Sequence, residues 1–206
     1  MIVPIGHPPR AAQGDDAELI VRSLAEPEAF AELYDRHAGG LHRYVLRRLG
    51  AGLAEDVVGE TFLIAFQQRH RYDTSRSEAR PWLYGIAANL ISRHRRSELR
   101  AYRALARTGV DPVAQSWSDT VDTQVAAAAS GAALAAALRG LNDRDRHVLL
   151  LIAWADFSYE EVAAALAIPL GTVRSRLNRA RTKMRAALGG VNPTLTDDDA
   201  QETDRG

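Results

Sequence analysis

Residues 158–184 read SYEEVAAALAIPLGTVRSRLNRARTKM, and their order decides the fold. Ser158 with Glu161 three residues on makes a capping box, in which each side chain satisfies an orphan backbone N–H at the start of a helix. That helix is expected to run through Leu166. Pro169 lacks an N–H and biases Ile168 out of the helical region, and Gly171 permits a tight turn. A second helix is expected from near Thr172, on which Val173, Leu177, Ala180 and Met184 form one apolar stripe. A short helix, a turn and a longer basic helix make a helix-turn-helix, whose second helix enters the DNA major groove.

The other face of that second helix carries Thr172, Arg174, Ser175, Arg176, Asn178, Arg179, Arg181, Lys183 and Arg185. Arginine binds guanine O6 and N7 bidentately, asparagine pairs with adenine N6 and N7, and more distal Arg and Lys hold phosphates. Upstream, Asn142 with Asp145 resembles a further cap, opening a helix that carries the apolar run Val148 to Ile152. A solvent-exposed amphipathic helix is the bland alternative; capping box, turn and basic face together favour DNA.

Working outward, the whole chain reads as all-α. Its 206 residues are rich in Leu, Ala and Arg, and almost nothing alternates with period two. With no cysteine, disulfides and thiolate metal sites are excluded, and a reducing compartment is expected. No stretch reads as a leader or membrane span, so a cytoplasmic location without membrane insertion is expected. The formal net charge of zero hides segregation. Residues 11–60 carry ten acids against five bases, and residues 69–107 ten bases against three acids. Residues 108–138 carry no base, residues 139–188 nine bases against five acids, and the tail is acidic. Basic islands of this kind are the footprint of a polyanion partner, although solvated helix faces look similar.

These divisions give two helical domains joined by a flexible linker. Residues 1–14 are expected to be a disordered N-terminus, 15–107 a first domain, 108–138 the linker, 139–188 the helix-turn-helix domain and 189–206 a disordered acidic tail. Within the linker a helix is expected near residue 122, and Trp117 is a candidate docking residue.

In the first domain, Phe30, Leu33, Tyr34, Leu41, Tyr44, Val45 and Leu49 lie on one helical stripe interrupted by Gly39 and Gly40. The next helix, AEDVVGETFLIAFQQ, buries Val57, Val58, Thr61, Phe62, Ile64 and Ala65. It leaves Asp56, Glu60, Leu63 and Gln67 opposite. Acidic residues at i and i+4 repel, and an exposed Leu beside them adds no stability, so the stripe suits a basic, partly apolar partner as well as it suits solvent. In RPWLYGIAANLISRHRR, Pro81 pre-sets a helix whose Leu83, Ile86, Ala87 and Leu90 point inward. Trp82, Asn89, Arg93 and Arg96 share another face, where a ring stacks on an unstacked base and cations hold the backbone. A Trp82 that is merely core remains open on this reading.

The stretch 158–184, with its Pro-x-Gly-Thr-Val-Arg-Ser-Arg-Leu core, resembles region 4 of the extracytoplasmic-function (ECF) sigma factors of the sigma-70 family. The segment Glu-Asp-Val-x-x-Glu-x-Phe resembles their region 2.2, and the Trp82 helix their regions 2.3 and 2.4. The resemblance covers residues 25–100 and 139–188. It implies −35 base contacts by Arg174, Ser175, Asn178 and Arg179, with phosphate contacts by Thr172, Arg176 and Arg181. It implies Trp82 and Asn89 at the site of −10 melting, with Arg93, Arg95 and Arg96 on the backbone. Contact with core RNA polymerase, through the clamp helices of its β′ subunit, falls to Asp56, Glu60 and Leu63. Promoter DNA is the second partner implied and an anti-sigma factor a candidate third; no cofactor is implied. Many relatives carry an Asp in the turn after the Asn, where this chain has Ser92 and Arg93, so the resemblance does not imply an exact −10 preference.

An autonomous helix-turn-helix regulator is the competing reading, but it leaves Trp82, Asn89 and their basic surroundings unexplained. An enzyme is disfavoured: no Gly-rich phosphate loop or nucleophile elbow appears, and His37 and His42, five apart, share no face.

Overall fold

The computed structural model describes residues 15–107 and 130–189, and every regular element among them is helical. The first group comprises α1 (Asp16–Ala25), α2 (Phe30–Leu49), α3 (Ala51–Gln68) and α4 (Arg80–Arg107), with single 3₁₀ turns at Pro27–Ala29 and Arg69–Arg71. The second comprises α5 (Ser130–Arg139), α6 (Asp143–Ala155), α7 (Tyr159–Leu166) and α8 (Leu170–Ala187). Except for Arg139, helix α5 lies in the stretch 108–138, where the linker is expected to become helical. The helix expected near residue 122, Trp117 and the two chain ends fall outside the described residues.

The first core is three helices deep. Leu33, Leu41 and Val45 of α2, Ala54, Val57 and Ala65 of α3, and Leu83, Ala87 and Ile91 of α4 are fully buried. The stripe expected on α2 holds except at its start, where Tyr34 is exposed and lies against the Phe62 ring at 4.7 Å. Gly39 and Gly40 do not break α2, because helix interiors tolerate glycine when the flanking turns are packed. The turn into α3 belongs to Gly50, whose φ of 77° lies in the left-handed region and whose N–H closes α2 on the Leu46 carbonyl at 2.8 Å.

Asp16 locks α1 to this core. Its buried carboxylate meets His37 Nε2 at 2.7 Å and Arg36 Nη1 at 3.3 Å, and accepts the Ala79 N–H at 2.9 Å, one residue before α4 begins. Burial alone would raise its pKa; the His37 and Ala79 hydrogen bonds and the neighbouring cations outweigh burial and lower it.

In the second group, Val148 and Leu151 of α6, Val162 of α7 and Val173, Leu177 and Ala180 of α8 form the core. Arg146 holds the end of α5 to it by donating to the carbonyls of Leu138 and Arg139, which a helix end leaves without α-helical partners, and to that of Leu141 in the turn beyond. The expected caps of α6 and α7 are both present. Asn142 accepts the Asp145 N–H at 2.8 Å, and Ser158 and Glu161 satisfy each other's backbone N–H.

The turn between α7 and α8 departs from expectation. Its left-handed residue is Ala167, with φ 50° and ψ 48°, and not Gly171. Helix α8 starts at Leu170 rather than near Thr172, with Pro169 as its cap in extended geometry and Gly171 already within the first turn. Pro169 stops one helix and starts the next, since its fixed φ suits the entry and its missing N–H has no partner to lose there.

Candidate nucleic-acid interface

Helix α8 presents its basic face because its apolar stripe is spoken for. Val173, Leu177 and Ala180 are buried against the rest of the second group, and Met184 is half-buried. Arg174, Ser175, Asn178, Arg179, Arg181, Lys183 and Arg185 are exposed, and Thr172 and Arg176 are half-buried. Ser175 Oγ donates to the Thr172 carbonyl at 3.0 Å. Arg179 is held: its guanidinium reaches both oxygens of Asp145, at 3.1 and 3.4 Å, and Asp145 is 1% exposed. Burial opposes the ionisation of Asp145, but hydrogen bonds from Arg179 and Asn142 prevail and its pKa is lowered. Arg179 therefore fastens α8 to α6, a role its sequence position did not announce.

On α4 the expected face divides. Asn89, Arg93 and Arg96 are exposed, and Trp82 is half-buried with its ring 5.0 Å from that of Tyr72. Tyr72 is anchored by a 2.7 Å hydrogen bond from its hydroxyl to the Arg76 carbonyl, so the loop before α4 holds the indole. Arg93 pairs with Glu60 of α3 at 3.2 Å, an exposed contact of little energetic weight that bridges two expected sites. Arg95 does not join its neighbours. It turns toward the second group, meeting Asp143 at 3.2 Å and the Arg48 carbonyl at 3.5 Å, because two residues along a helix from Arg93 rotate it to the opposite side.

The stripe on α3 is as expected. Asp56 and Gln67 are exposed, Glu60 half-buried, and Leu63 is 55% exposed with Val57, Val58, Thr61, Phe62 and Ala65 buried behind it. Ile64 is half-buried, at the margin of that arc.

Asn89, Ser92 and Arg96 from α4 line one cleft together with Arg176 and Arg179 from α8. The cleft measures about 950 Å³ and also takes in Asn142, Asp143, Arg144 and His147. Sequence reading gave both basic faces but not their convergence, which joins residues some ninety positions apart.

An all-helical chain with a basic helix-turn-helix and a second, aromatic-bearing basic helix defines a DNA-binding transcription protein. Family models agree in detail: "Sigma-70 region 2" matches residues 33–107 and "Sigma-70, region 4" residues 131–184. The chain is 37% identical over 175 residues to the ECF RNA polymerase sigma factor SigL of Mycobacterium tuberculosis, covering 84% of this chain and 96% of that one. It is 31% identical to the ECF RNA polymerase sigma factor BldN of Streptomyces coelicolor, covering 84% of this chain and 67% of the other. Among solved structures it is similar to CnrH in complex with the cytosolic domain of CnrY, with 27% identity, a TM-score of 0.58, and coverage of 86% of this chain and 99% of CnrH. The chain belongs to the ECF sigma factors, the sigma-70 family subunits that give RNA polymerase its promoter specificity.

Proposed function

We propose that the residues above divide the sigma-factor role among three faces. Asp56, Glu60 and Leu63 of α3 dock on the clamp helices of the polymerase β′ subunit. Trp82 and Asn89 open the −10 element, with Arg93 and Arg96 on the displaced strand's backbone. Thr172, Arg174, Ser175, Arg176, Asn178 and Arg181 read and hold the −35 element. Residues 15–107 then act as one unit and the helix-turn-helix as another. In this scheme Arg95 fastens the two groups to each other and Arg179 fastens α8 to α6, and each reaches DNA only after exchanging its present carboxylate partner. No described helix is long and apolar enough to cross a membrane, and a cytoplasmic place of work goes with this reading.

The observation that carries the proposal is the exposed basic face of α8, set by a buried stripe on a helix-turn-helix. It is supported by Trp82, which is held by Tyr72 yet left half-open beside Asn89. The test is transcription by purified core RNA polymerase with and without the chain, on the DNA upstream of its own gene. Protein-dependent transcripts from a defined start are expected. Trp82→Ala is expected to weaken strand opening, followed by permanganate reactivity of −10 thymines, by an amount matching one lost stack, roughly 1–3 kcal/mol. Tight binding to duplex without any polymerase-dependent transcript would favour an autonomous regulator.

CnrH was solved with the cytosolic domain of CnrY. An anti-sigma factor is accordingly part of the proposal for this chain; full activity in cells with no sequestering protein recovered on pull-down would count against it.

A further inference from the structure

Helix α8 carries its cations in two stripes, and only one of them has an acidic partner. Arg176, Arg179 and Lys183, three and four residues apart, follow one side. Arg179 grips the buried Asp145 at 3.1 Å, the charge of Lys183 helps to lower that carboxyl's pKa, and Arg176 lines the cleft beside Arg179. Arg174, Arg181 and Arg185 follow the other side, at i, i+7 and i+11 with Asn178 between them at i+4, and all four are exposed. Among the described residues no carboxylate forms an ion pair with Arg174, Arg181 or Arg185. Three guanidiniums along about 16 Å of helix make a row that attracts any polyanion within reach.

One such polyanion belongs to the same chain. Residues 197–204 carry Asp197, Asp198, Asp199, Glu202 and Asp204, and three consecutive acids occur nowhere else in the sequence. The Leu188 N–H closes α8 on the Met184 carbonyl at 3.0 Å, and Gly189, with φ 73°, then turns the chain off the helix axis. From Leu188 back to Arg174 is about 21 Å of helix, and the nine residues from Leu188 to Asp197 span up to about 30 Å. The three aspartates therefore reach every cation of the stripe. Asp111, Asp119 and Asp122, the acids between the two helical groups, are spread too thinly to match it.

We propose that residues 197–204 lie back along the Arg174, Arg181 and Arg185 stripe of α8 and occupy it until DNA displaces them. The proposal rests on the assignment of α8 to DNA. Each exposed pair is weak and screened by salt. Tethering compensates, because a segment joined to its seat by a short connection is present at an effective concentration on the order of millimolar. Duplex DNA, with about one charge per 1.7 Å, displaces the acids most readily where base contacts add to phosphate contacts. The segment thus penalises DNA that offers phosphates alone, and sharpens the preference of α8 for its own sequence.

The chain has no cysteine, so Ala200→Cys supplies a single thiol for a nitroxide spin label in the full chain. At about 0.1 M salt the label is expected to broaden the amide signals of α8 from Arg174 to Arg185, and about 1 M salt to restore them. Asp197→Asn, Asp198→Asn and Asp199→Asn together, which keep the size of the side chains and lie outside both cores, should abolish the broadening. In filter binding, the triple Asn chain should bind a duplex of arbitrary sequence severalfold more tightly than the unaltered chain at about 0.1 M salt, with the difference gone at about 1 M. Absence of broadening on α8, broadening that survives the Asn substitutions, or broadening centred on α4 overturns the proposal. So does broadening seen only between labelled and unlabelled copies in a mixture. Broadening as expected with equal duplex affinity in the two chains supports the docked segment and overturns the assignment of α8 to DNA instead.

Discussion

Single side chains in this protein do unlike work even when they are alike in type. Asp16 is structural: Asp16→Ala would leave the buried Ala79 N–H without its acceptor and remove the contacts that Arg36 and His37 make to the carboxylate. We expect a loss of about 3 kcal/mol in urea unfolding. Its lowered pKa gives stability that is present in full above the ordinary carboxylate value and lost as pH falls below it through the lowered one. His147 acts in the other direction. Burial, then the charges of Arg48 and Arg146, push its pKa well below the usual value, and its ring accepts from Arg48 while Ser92 occupies the other nitrogen. Arg95 and Asp143 stand at the same junction. A buried neutral ring contributes its full stability above about pH 6.5, and that contribution is lost as pH falls below it, since protonation favours an exposed ring. The thermal midpoint should therefore fall from pH 7.5 to pH 5.5, and a His147→Gln chain should lose most of that dependence. On α8, Arg174→Ala should cost about 1–3 kcal/mol and relax preference at one −35 position, whereas Arg181→Ala should weaken all sequences alike. Filter binding over a panel of duplexes separates the two. The sequence exposed the exposed: Arg174 and Asn178 stood out because nothing nearby competes for them. Arg179 and Arg95 were read as DNA contacts because the carboxylates that hold them, Asp145 and Asp143, are brought near only by folding.

At the scale of elements, the caps were the legible part, because a capping box is a contract between residues three apart. Ser158→Ala should destabilise the second group by about 1 kcal/mol, seen as a lowered thermal midpoint. The turn that follows was harder to read. A glycine attracts the expectation of a left-handed conformation, yet Gly171 lies in α8, and Ala167 takes that conformation at a steric cost. Ala167→Gly is expected to raise stability by roughly 0.5–1 kcal/mol, since the position is already left-handed and glycine accepts it without strain. A drop in the thermal midpoint would mean that the Ala167 methyl is needed by the packing of the turn. Helix α5 was legible only as a linker turning helical near residue 122, for a related reason. Its run of alanines signals helix propensity but gives no apolar stripe to assign, and what fixes it is Arg146 of α6 collecting its terminal carbonyls. Propensity is local, whereas the partner of a helix end is not.

For the whole molecule, the all-helical class and the two groups were open to inspection because charge and periodicity change together along the chain. Their contact was not. The pair Arg48 and His147 is separated by 99 positions, and no pattern within either segment marks the other as its partner. Between Arg107 and Ser130 the chain is long enough to extend about 80 Å at most, so the covalent connection permits the groups to part widely. The proposed faces also differ in how far they are open. Asp56 and Leu63 stand on the outside, free to be met, while Asn89, Arg96 and Arg176 share a cleft. On the roles proposed above, the surface meant for the polymerase lies open, whereas those meant for the two ends of a promoter face each other like pages of one leaf.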